Sequence, residues 1–497
     1  MTKTVIYNLP PLDQTKPPLS GAILGGICTK LGHKIIARDL QLNLLDFLNK
    51  NSIPTDYFND VFNETRSPFS DLQTKILIKF INQEFIDCEP DNADYILVSF
   101  FSYLSQRFGM LFLPELRKKT QAKIIIGGAG IEGTNEISRF GLGEKLKASQ
   151  TIDEYIVGEA EEILPVYFQQ GHGPGIGNNK FKQIDDLDAQ VFPNFSYYDL
   201  VRYRGVDNTI TLPIIGSRGC VRKCTFCDVA KTTPKYRYRS GNNIAQEIIQ
   251  HYENYGITNF YFADSLVNGS YRAFNDMCNS LIKYNFKDPI SWSGQYIIRS
   301  KETTPKNHFN LLKQSGCSTL FVGIESGADR VRQEMGKKFT NDDIEFYLEN
   351  FSQHDIKTLF LFFTGYITET EEDHRETLTM FRRWQKYVAT GTIEGIETLN
   401  LLSILPGTPL DAISRDHNFL FLANDHDVID RTGWINPALP NFDFKARVCR
   451  HIEVWEEAIK YQWPLWNGVD AASMYEKILS KRKATKNIYI PINSIMR

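Results

Sequence analysis

The sequence has no apolar run near the ~18 residues a bilayer span requires. Its opening, MTKTVIYNLPPLDQ, lacks the charged-then-apolar order of a secretory signal, so a cytoplasmic protein is expected. Charge of neither sign dominates: 56 Lys and Arg face 59 Asp and Glu, and a net charge of −3 gives no clear footing for nucleic acid. Eight cysteines in 497 residues are too few for a disulfide scaffold. Internal repeats and long low-complexity tracts are absent too. What is there is a chain too long for one hydrophobic core, 42% apolar and 12% aromatic, which predicts two or three domains.

The first 170 residues alternate between strand and helix patterns, which argues for a parallel sheet covered on both faces. Expected strands are Thr4–Tyr7, Lys34–Arg38, Tyr95–Phe100, Lys123–Ile126 and Glu154–Val157. Leu24, Ile27, Cys28 and Leu31 fall on one helical face, which puts Cys28 in a core. Residues 50–75 read as an irregular insertion, and the glycine-rich GHGPGIGN at 171–178 opens a linker expected to run to 204.

A second alternating series follows over 205–410. Its strands are expected at Thr211–Ile215, Asn259–Phe262, Ser291–Gln295, Thr319–Val322, Thr358–Phe363 and Thr398–Ile404, with a long helix at Glu372–Thr390 before the last. Six βα repeats are fewer than a closed eight-fold barrel needs, so an open partial barrel is predicted. Residues 411–497 read as an aromatic, helical carboxyl-terminal region.

Three of the eight cysteines crowd into IIGSRGCVRKCTFCDVA, where Cys220, Cys224 and Cys227 form CxxxCxxC directly after an apolar strand. Thiolates so close converge on one metal centre at little backbone cost, and they are the ligands iron–sulfur clusters take. Three ligands with no fourth cysteine in the loop leave one iron open. A zinc site completed from elsewhere and three unrelated thiols are the alternatives, but zinc usually wants paired CxxC units or histidines at fixed spacing. Cys278, in a stripe with Phe274, Met277, Leu281 and Ile282, reads as core, as does Cys317. The stretch 221–239 carries six basic residues, Arg222, Lys223, Lys231, Lys235, Arg237 and Arg239, against Asp228 alone, which suits thiolates, an anionic partner or merely a solvated loop.

At these residues the sequence resembles the radical S-adenosylmethionine (SAM) superfamily, whose signature has this spacing and an aromatic before the last cysteine, here Phe226. The resemblance covers about 205–410 and implies a partial (β/α)6 barrel, a 4Fe–4S cluster on the three cysteines, and SAM chelated to the free iron and split to an adenosyl radical. It also implies an electron donor such as flavodoxin or ferredoxin. Further segments match in order. Asp264 and Ser265 sit where the family binds the SAM amino group, and Arg299 in WSGQYIIR is placed to pair with the SAM carboxylate. VGIESG supplies Gly323, Glu325 and Ser326 toward the ribose or methionine portion, followed by Met335 and Lys337 or Lys338. FTGYITETEED resembles the fifth-strand segment beside adenine, with Ile367 and Thr368 replacing its proline-containing step, and ILPGTPL matches the sixth-strand turn.

Gly128, Gly130 and Gly133 satisfy GxGxxG, but after the fourth strand rather than the first, which disfavours a nicotinamide dinucleotide. Residues 1–170 resemble instead the cobalamin-binding Rossmann-like domain that precedes many radical SAM barrels. The match rests on PPLS at 17–20, Ser99 at a strand end, Gly127-Gly128, and Gly158-Glu159 in GEAE. It departs in NLPPLDQTKPPLSG, which has no histidine where a DxHxxG motif would supply a lower cobalt ligand. The resemblance implies a cobalamin-dependent radical SAM enzyme that abstracts hydrogen from an unactivated carbon, with methyl transfer as the usual outcome. A radical SAM oxidoreductase or ring-forming enzyme with an empty Rossmann domain is the rival, and a non-catalytic iron–sulfur sensor or scaffold is the rival of another class.

Overall fold

In VIY, YILV and KIII, apolar side chains continue on both sides of each strand, as they must when both faces of a sheet are covered. In the computed structural model these segments form β1 (Lys3–Asn8), β3 (Tyr95–Ser99) and β4 (Lys123–Gly127), joined by β2 (Lys34–Asp39) and β5 (Glu154–Ile156). The residues described are 1–58, 69–131, 141–173, 175–178, 182–205, 207–423, 429–466 and 488–492. All pairings among the five strands are parallel, in the order β2-β1-β3-β4-β5. Val5, Tyr7, Ile96 and Val98 enter the core on one face, and Ile6, Leu97, Ile125 and the helix residues Ile27 and Cys28 the other. Each such fully buried side chain contributes about 1.5–3 kcal/mol.

Helices begin where the sequence offers caps. Asp39 accepts from the N–H groups of Gln41 and Leu42 and starts Leu40–Lys50, and a Ser70–Gln73 capping box starts Asp71–Cys88. The expected insertion at 50–75 therefore already contains the first turn of that second helix. The glycine-rich stretch does not run free: Ile176 bridges to Ile156, and Lys182 to Gly158, along the edge of β5. Further on, Tyr203 donates to Asp39 and Asn8 donates to the Tyr198 hydroxyl, so 195–203 packs on the same sheet.

Chain contacts divide the protein into 1–213 and 214–497, a boundary inside β6 (Thr211–Ile214). The second unit carries the sheet β13-β12-β11-β10-β9-β6, with parallel pairs from β9 to β13. Its other members are β9 (Asn259–Phe262), β10 (Ser291–Tyr296), β11 (Cys317–Glu325), β12 (Lys357–Thr364) and β13 (Ile393–Leu401), while the short β7 (Ser217–Arg218) and β8 (Arg237–Tyr238) pair apart from it. Six strands with helices between them are the predicted open barrel. One expectation is corrected: the last strand starts at Ile393, five residues before the expected Thr398. There Ile393 and Ile396 are buried while Glu394 is exposed, so the strand opens as a half-polar edge rather than as the apolar run LNLLSIL. The long helix before it is interrupted at Trp384, a fully buried side chain, giving Glu371–Arg383 and Gln385–Ala389.

The carboxyl-terminal region is helical at Pro409–Asp416 and Phe444–Lys460, but it also holds a three-stranded antiparallel sheet the sequence reading did not contain, with Leu420–Ala423 between Ile429–Ile435 and Ile488–Pro491. Trp434, Trp455 and Trp463 are core there and Trp466 is half exposed, while the basic tail at 477–486 lies outside the described residues. Among the described residues no helix is long and apolar enough to cross a membrane.

Candidate cluster and cofactor site

The cysteine loop leaves β6 and is pinched at its base, where Ser217–Arg218 pairs antiparallel with Arg237–Tyr238. Gly219 turns the chain with φ +86°, a conformation that favours glycine. Beyond the turn, three separate segments hold the loop. The Thr225 N–H donates to the Met335 carbonyl at 3.1 Å, its carbonyl accepts from the Leu410 N–H at 2.9 Å, and its hydroxyl meets Tyr366 at 3.0 Å. Leu410 belongs to the PGTPL turn, so that motif anchors the loop.

Cys220, Cys224 and Cys227 are half-buried, whereas Cys28, Cys88, Cys278 and Cys317 are fully buried. Burial pushes all three loop thiols up, Cys227 to about 11; neighbouring loop thiols raise Cys220 and Cys227 further, and Glu325 raises Cys224. Lys337 opposes that rise at Cys220 and Cys224. Among the described residues no three His, Cys, Asp or Glu gather for a single metal ion. Thiolates around a four-iron cluster stand farther apart, because iron and sulfide lie between them. Three mutually interacting, half-buried thiols beside a cation fit such a cluster, and metal binding would deprotonate them.

The structure puts the other expected SAM residues on neighbouring strand ends, several already engaged. Asp264, after β9, accepts from the Gly216 N–H at 2.9 Å and the Ser217 hydroxyl at 2.6 Å, and burial pushes its carboxyl up to about 7. It thereby fixes the turn that leads into the cysteine loop. Ser265 beside it is half-buried. Arg299, beyond β10, donates to the carbonyls of Asn268 and Gly269 and lies over the Tyr271 ring at 4.4 Å. Ser326 bonds Thr377, and the Thr368 hydroxyl bonds Glu334. Arg239, matched to the family within YRYRS, is buried against Glu247.

Glu325 makes the site's most unusual contact. It ends β11 with φ +61° and pairs with Lys337 at 2.7 Å, both side chains being nearly buried. A Cβ on Gly323 would stand 2.4 Å from the Glu325 carboxylate and 2.9 Å from the Lys337 Nζ, so this glycine makes room for the pair. Phe226 lies 5.5 Å under that Nζ and packs edge-on against Phe363. Sequence reasoning named Glu325 and offered Lys337 only as one of two lysines; the absence of a side chain two residues before the acid was the available signal. It missed His374 altogether: buried, bonded to Glu453 and lining a small cavity with Glu325 and Tyr366.

In the first unit the named residues are mostly consumed by the chain. The Ser99 hydroxyl donates to Ser20 at 2.9 Å, Ser20 reaches Asn8 at 3.4 Å, and Asn8 donates to the Arg38 carbonyl and to Tyr198. Gly128 has φ +102° and leaves 2.4 Å between its absent Cβ and the Phe100 carbonyl; Gly130 similarly faces the Ser102 carbonyl. Gly158 has φ +103° against the Lys182 carbonyl, and Glu159 accepts from the Ile184 N–H at 2.6 Å. Gly127 alone keeps ordinary space, its Cβ position being 3.5 Å from the Ile156 carbonyl. Gly133 lies outside the described residues.

Residues 214–381 match the family model of the radical SAM superfamily. An uncharacterized methyltransferase of Pyrococcus horikoshii is 24% identical over 319 residues, covering 61% of this chain and 65% of that protein. The anaerobic magnesium-protoporphyrin IX monomethyl ester cyclase of Rubrivivax gelatinosus is 23% identical over 301 residues, 55% of this chain and 52% of that one. The chain thus spans between half and two thirds of the length of these relatives. The radical SAM methyltransferase TsrM of Kitasatospora setae, solved with cobalamin and a 4Fe–4S cluster bound, superposes with a TM-score of 0.62 at 14% identity, covering 95% of this chain and 92% of that one. At that identity the likeness is one of fold. Strand order, cysteine loop and family match agree in likening residues 214–381 of this chain to the radical SAM superfamily.

Proposed function

We propose that the protein is a cobalamin-dependent radical SAM enzyme whose outcome is methyl transfer to an unactivated carbon. The observation that carries the reading is the loop of Cys220, Cys224 and Cys227, held at Met335, Tyr366 and Leu410 beside Lys337. When bound, the cluster supplies the electron that splits the SAM sulfonium, and the corrinoid carries the methyl group. The three thiolates hold the cluster and leave one iron for SAM. Asp264 keeps the loop in register through Gly216 and Ser217. Glu325, Ser326 and Gly323 form the wall for the ribose and methionine portion, with Ser265, Arg299 and Thr368 at its margins. In the first unit, Ser99, Gly127, Gly128, Gly158 and Glu159 shape the strand ends where a corrinoid tail would lie, the usual place for ligands of open parallel sheets. The methyltransferase relative and the cobalamin-bound TsrM support this assignment.

An external one-electron carrier, flavodoxin or ferredoxin, completes the scheme, and free cysteines with an oxygen-sensitive cluster suit a reducing cytoplasm. A second reading, ring formation by net oxidation, rests on the cyclase relative. Anaerobic reconstitution with iron, sulfide and hydroxocobalamin tests the proposal. We expect cluster absorbance, retained corrinoid after gel filtration and 5′-deoxyadenosine on reduction with SAM. Product gaining one methyl supports transfer, product losing hydrogens supports ring formation, and cluster without corrinoid removes the cobalamin half.

A further inference from the structure

We propose that Glu325 and Lys337 form an exchangeable counter-ion pair that makes the uncancelled positive charge beside the cysteine loop depend on whether SAM is bound. The inference rests on the radical SAM reading and goes beyond it, from binding SAM to controlling when the site accepts an electron.

Lys337 is the cation best placed for this role. Its side chain is 14% exposed, and its charge acts on Cys220, Cys224 and Cys227. Burial alone drives a lysine toward the neutral form, but Glu325 and the thiols more than offset it and hold Lys337 above its ordinary range. The ammonium lies 5.5 Å from the ring of Phe226, the residue that precedes Cys227 in the loop.

In the structure Glu325 pairs with that ammonium at 2.7 Å and neutralises it. Several features show that the pair is built rather than incidental. Glu325 occupies a left-handed backbone conformation, which costs a non-glycine residue strain that its surroundings must offset. The ladder between β11 and β12 shifts register between Gly323 and Glu325, and Gly323 leaves open the space both charged atoms fill. On its other side Glu325 lines the cavity shared with Ser326 and Tyr366. It also faces Glu397 on β13, whose carboxyl is pushed up by burial and by Glu325 itself. Among the charged groups around it, Glu325 thus has the cation Lys337 and a second acid, Glu397.

SAM brings an ammonium, a sulfonium and ribose hydroxyls, all of which a carboxylate attracts. Once they engage Glu325, the positive charge of Lys337 is no longer cancelled and falls on the cluster. Uncancelled positive charge favours the form with one more electron, so the reduction potential rises. A cluster held by the three cysteines would then take one electron from an external one-electron carrier, passing from 2+ to 1+ with no bond made or broken. Arg222, close to Cys220, Cys224 and Arg299, adds a constant background because it has no part in the pair. The device keeps reducing equivalents from a site that has no SAM to receive them.

The test is a potentiometric titration of the reconstituted full chain, followed by EPR, with and without an uncleavable SAM analogue. Iron content is read first. Wild-type protein that takes up no iron ends the radical SAM reading itself. With full iron, Glu325→Gln should raise the ligand-free potential and Lys337→Met should lower it. The analogue should raise the wild-type potential and leave that of Lys337→Met nearly unmoved. Equal ligand-free potentials in wild type and Glu325→Gln, or equal analogue-induced shifts in wild type and Lys337→Met, would overturn the inference while leaving the function standing.

Discussion

The two parallel sheets treat their carboxyl ends differently. At the end of the second sheet, thiols and one charged pair stand together: three half-buried cysteines, a nearly buried lysine and a strained glutamate. At the end of the first sheet, the polar residues are tied to one another, Ser99 to Ser20, Ser20 to Asn8, Asn8 to Tyr198, and the glycines accommodate the chain's own carbonyls. A site that grips through side chains advertises itself in residue types. A site that receives a large flat cofactor needs open backbone and space, and the same glycines serve turns that bind nothing.

The sharpest break between the sheets is ligand loss on single substitution. Replacing Cys220, Cys224 or Cys227 with Ala should abolish cluster absorbance and iron retention, whereas Cys278→Ala should cost about 1 kcal/mol of stability and no iron. If Cys278→Ala lost the cluster while Cys227→Ala kept it, the assignment of the second sheet would be wrong. Asp264→Ala belongs with the triad: it frees Gly216 and Ser217, so iron content should fall together with SAM binding. Full iron in that variant would return Asp264 to a purely ligand-binding role.

In the first sheet the informative position is Gly127. Gly128→Val cannot test corrinoid binding, because its positive φ and the Phe100 carbonyl make it a folding defect of about 1–3 kcal/mol before any clash is counted. Gly127→Val meets only ordinary contacts and should keep the melting temperature. If a corrinoid tail runs past this strand end, the variant should lose hydroxocobalamin on gel filtration and keep its full iron. Retained corrinoid would move the binding surface elsewhere.

The same contrast explains what could be read from the sequence. The CxxxCxxC spacing and the strands of both sheets were legible because thiol chemistry and apolar runs are local signals. Strand β13 was misplaced because Glu394 and Glu397 interrupt its apolar pattern, while the following LNLLSIL imitates a strand. The sheet of Leu420–Ala423, Ile429–Ile435 and Ile488–Pro491 was not legible, since one of its two pairings joins segments more than sixty residues apart. Asp264 was read as a ligand group, and its grip on Gly216 and Ser217 needed coordinates. So did the partnership of Glu325 with Lys337, which turns on a backbone conformation no residue type demands.

A pH experiment separates the sheets more mildly. His308 in the second unit is 2% exposed, and burial, aided by Arg299, lowers it to about 4. Its folded value lies below the ordinary 6.5, so its neutral form contributes stability fully above pH 6.5, lost as pH falls toward 4. The shift corresponds to about 3 kcal/mol at most. Melting followed through the second unit should decline over that window, and His308→Gln should flatten the decline. An unchanged slope in the variant would show that other groups carry the acid sensitivity.

The smallest effect concerns Ser99, and it tests whether the first sheet's polar chain has any capacity left. The Ser99 hydroxyl spends its proton on Ser20, and the Ser20 proton goes on to Asn8. Donation runs away from the strand end, so Ser99 can only accept from a ligand, through its remaining lone pairs. A corrin side-chain amide offers such an N–H, whereas an acceptor oxygen would find no donor there. Ser99→Ala should therefore cost about 1 kcal/mol of stability from the lost bond and weaken hydroxocobalamin retention only a few-fold. Ser99→Cys, a poorer acceptor of similar shape, should weaken it equally with less loss of stability. If Ser99→Ala abolished corrinoid binding while Gly127→Val preserved it, the hydroxyl would be the principal contact, and the first sheet would grip by side chain as the second does.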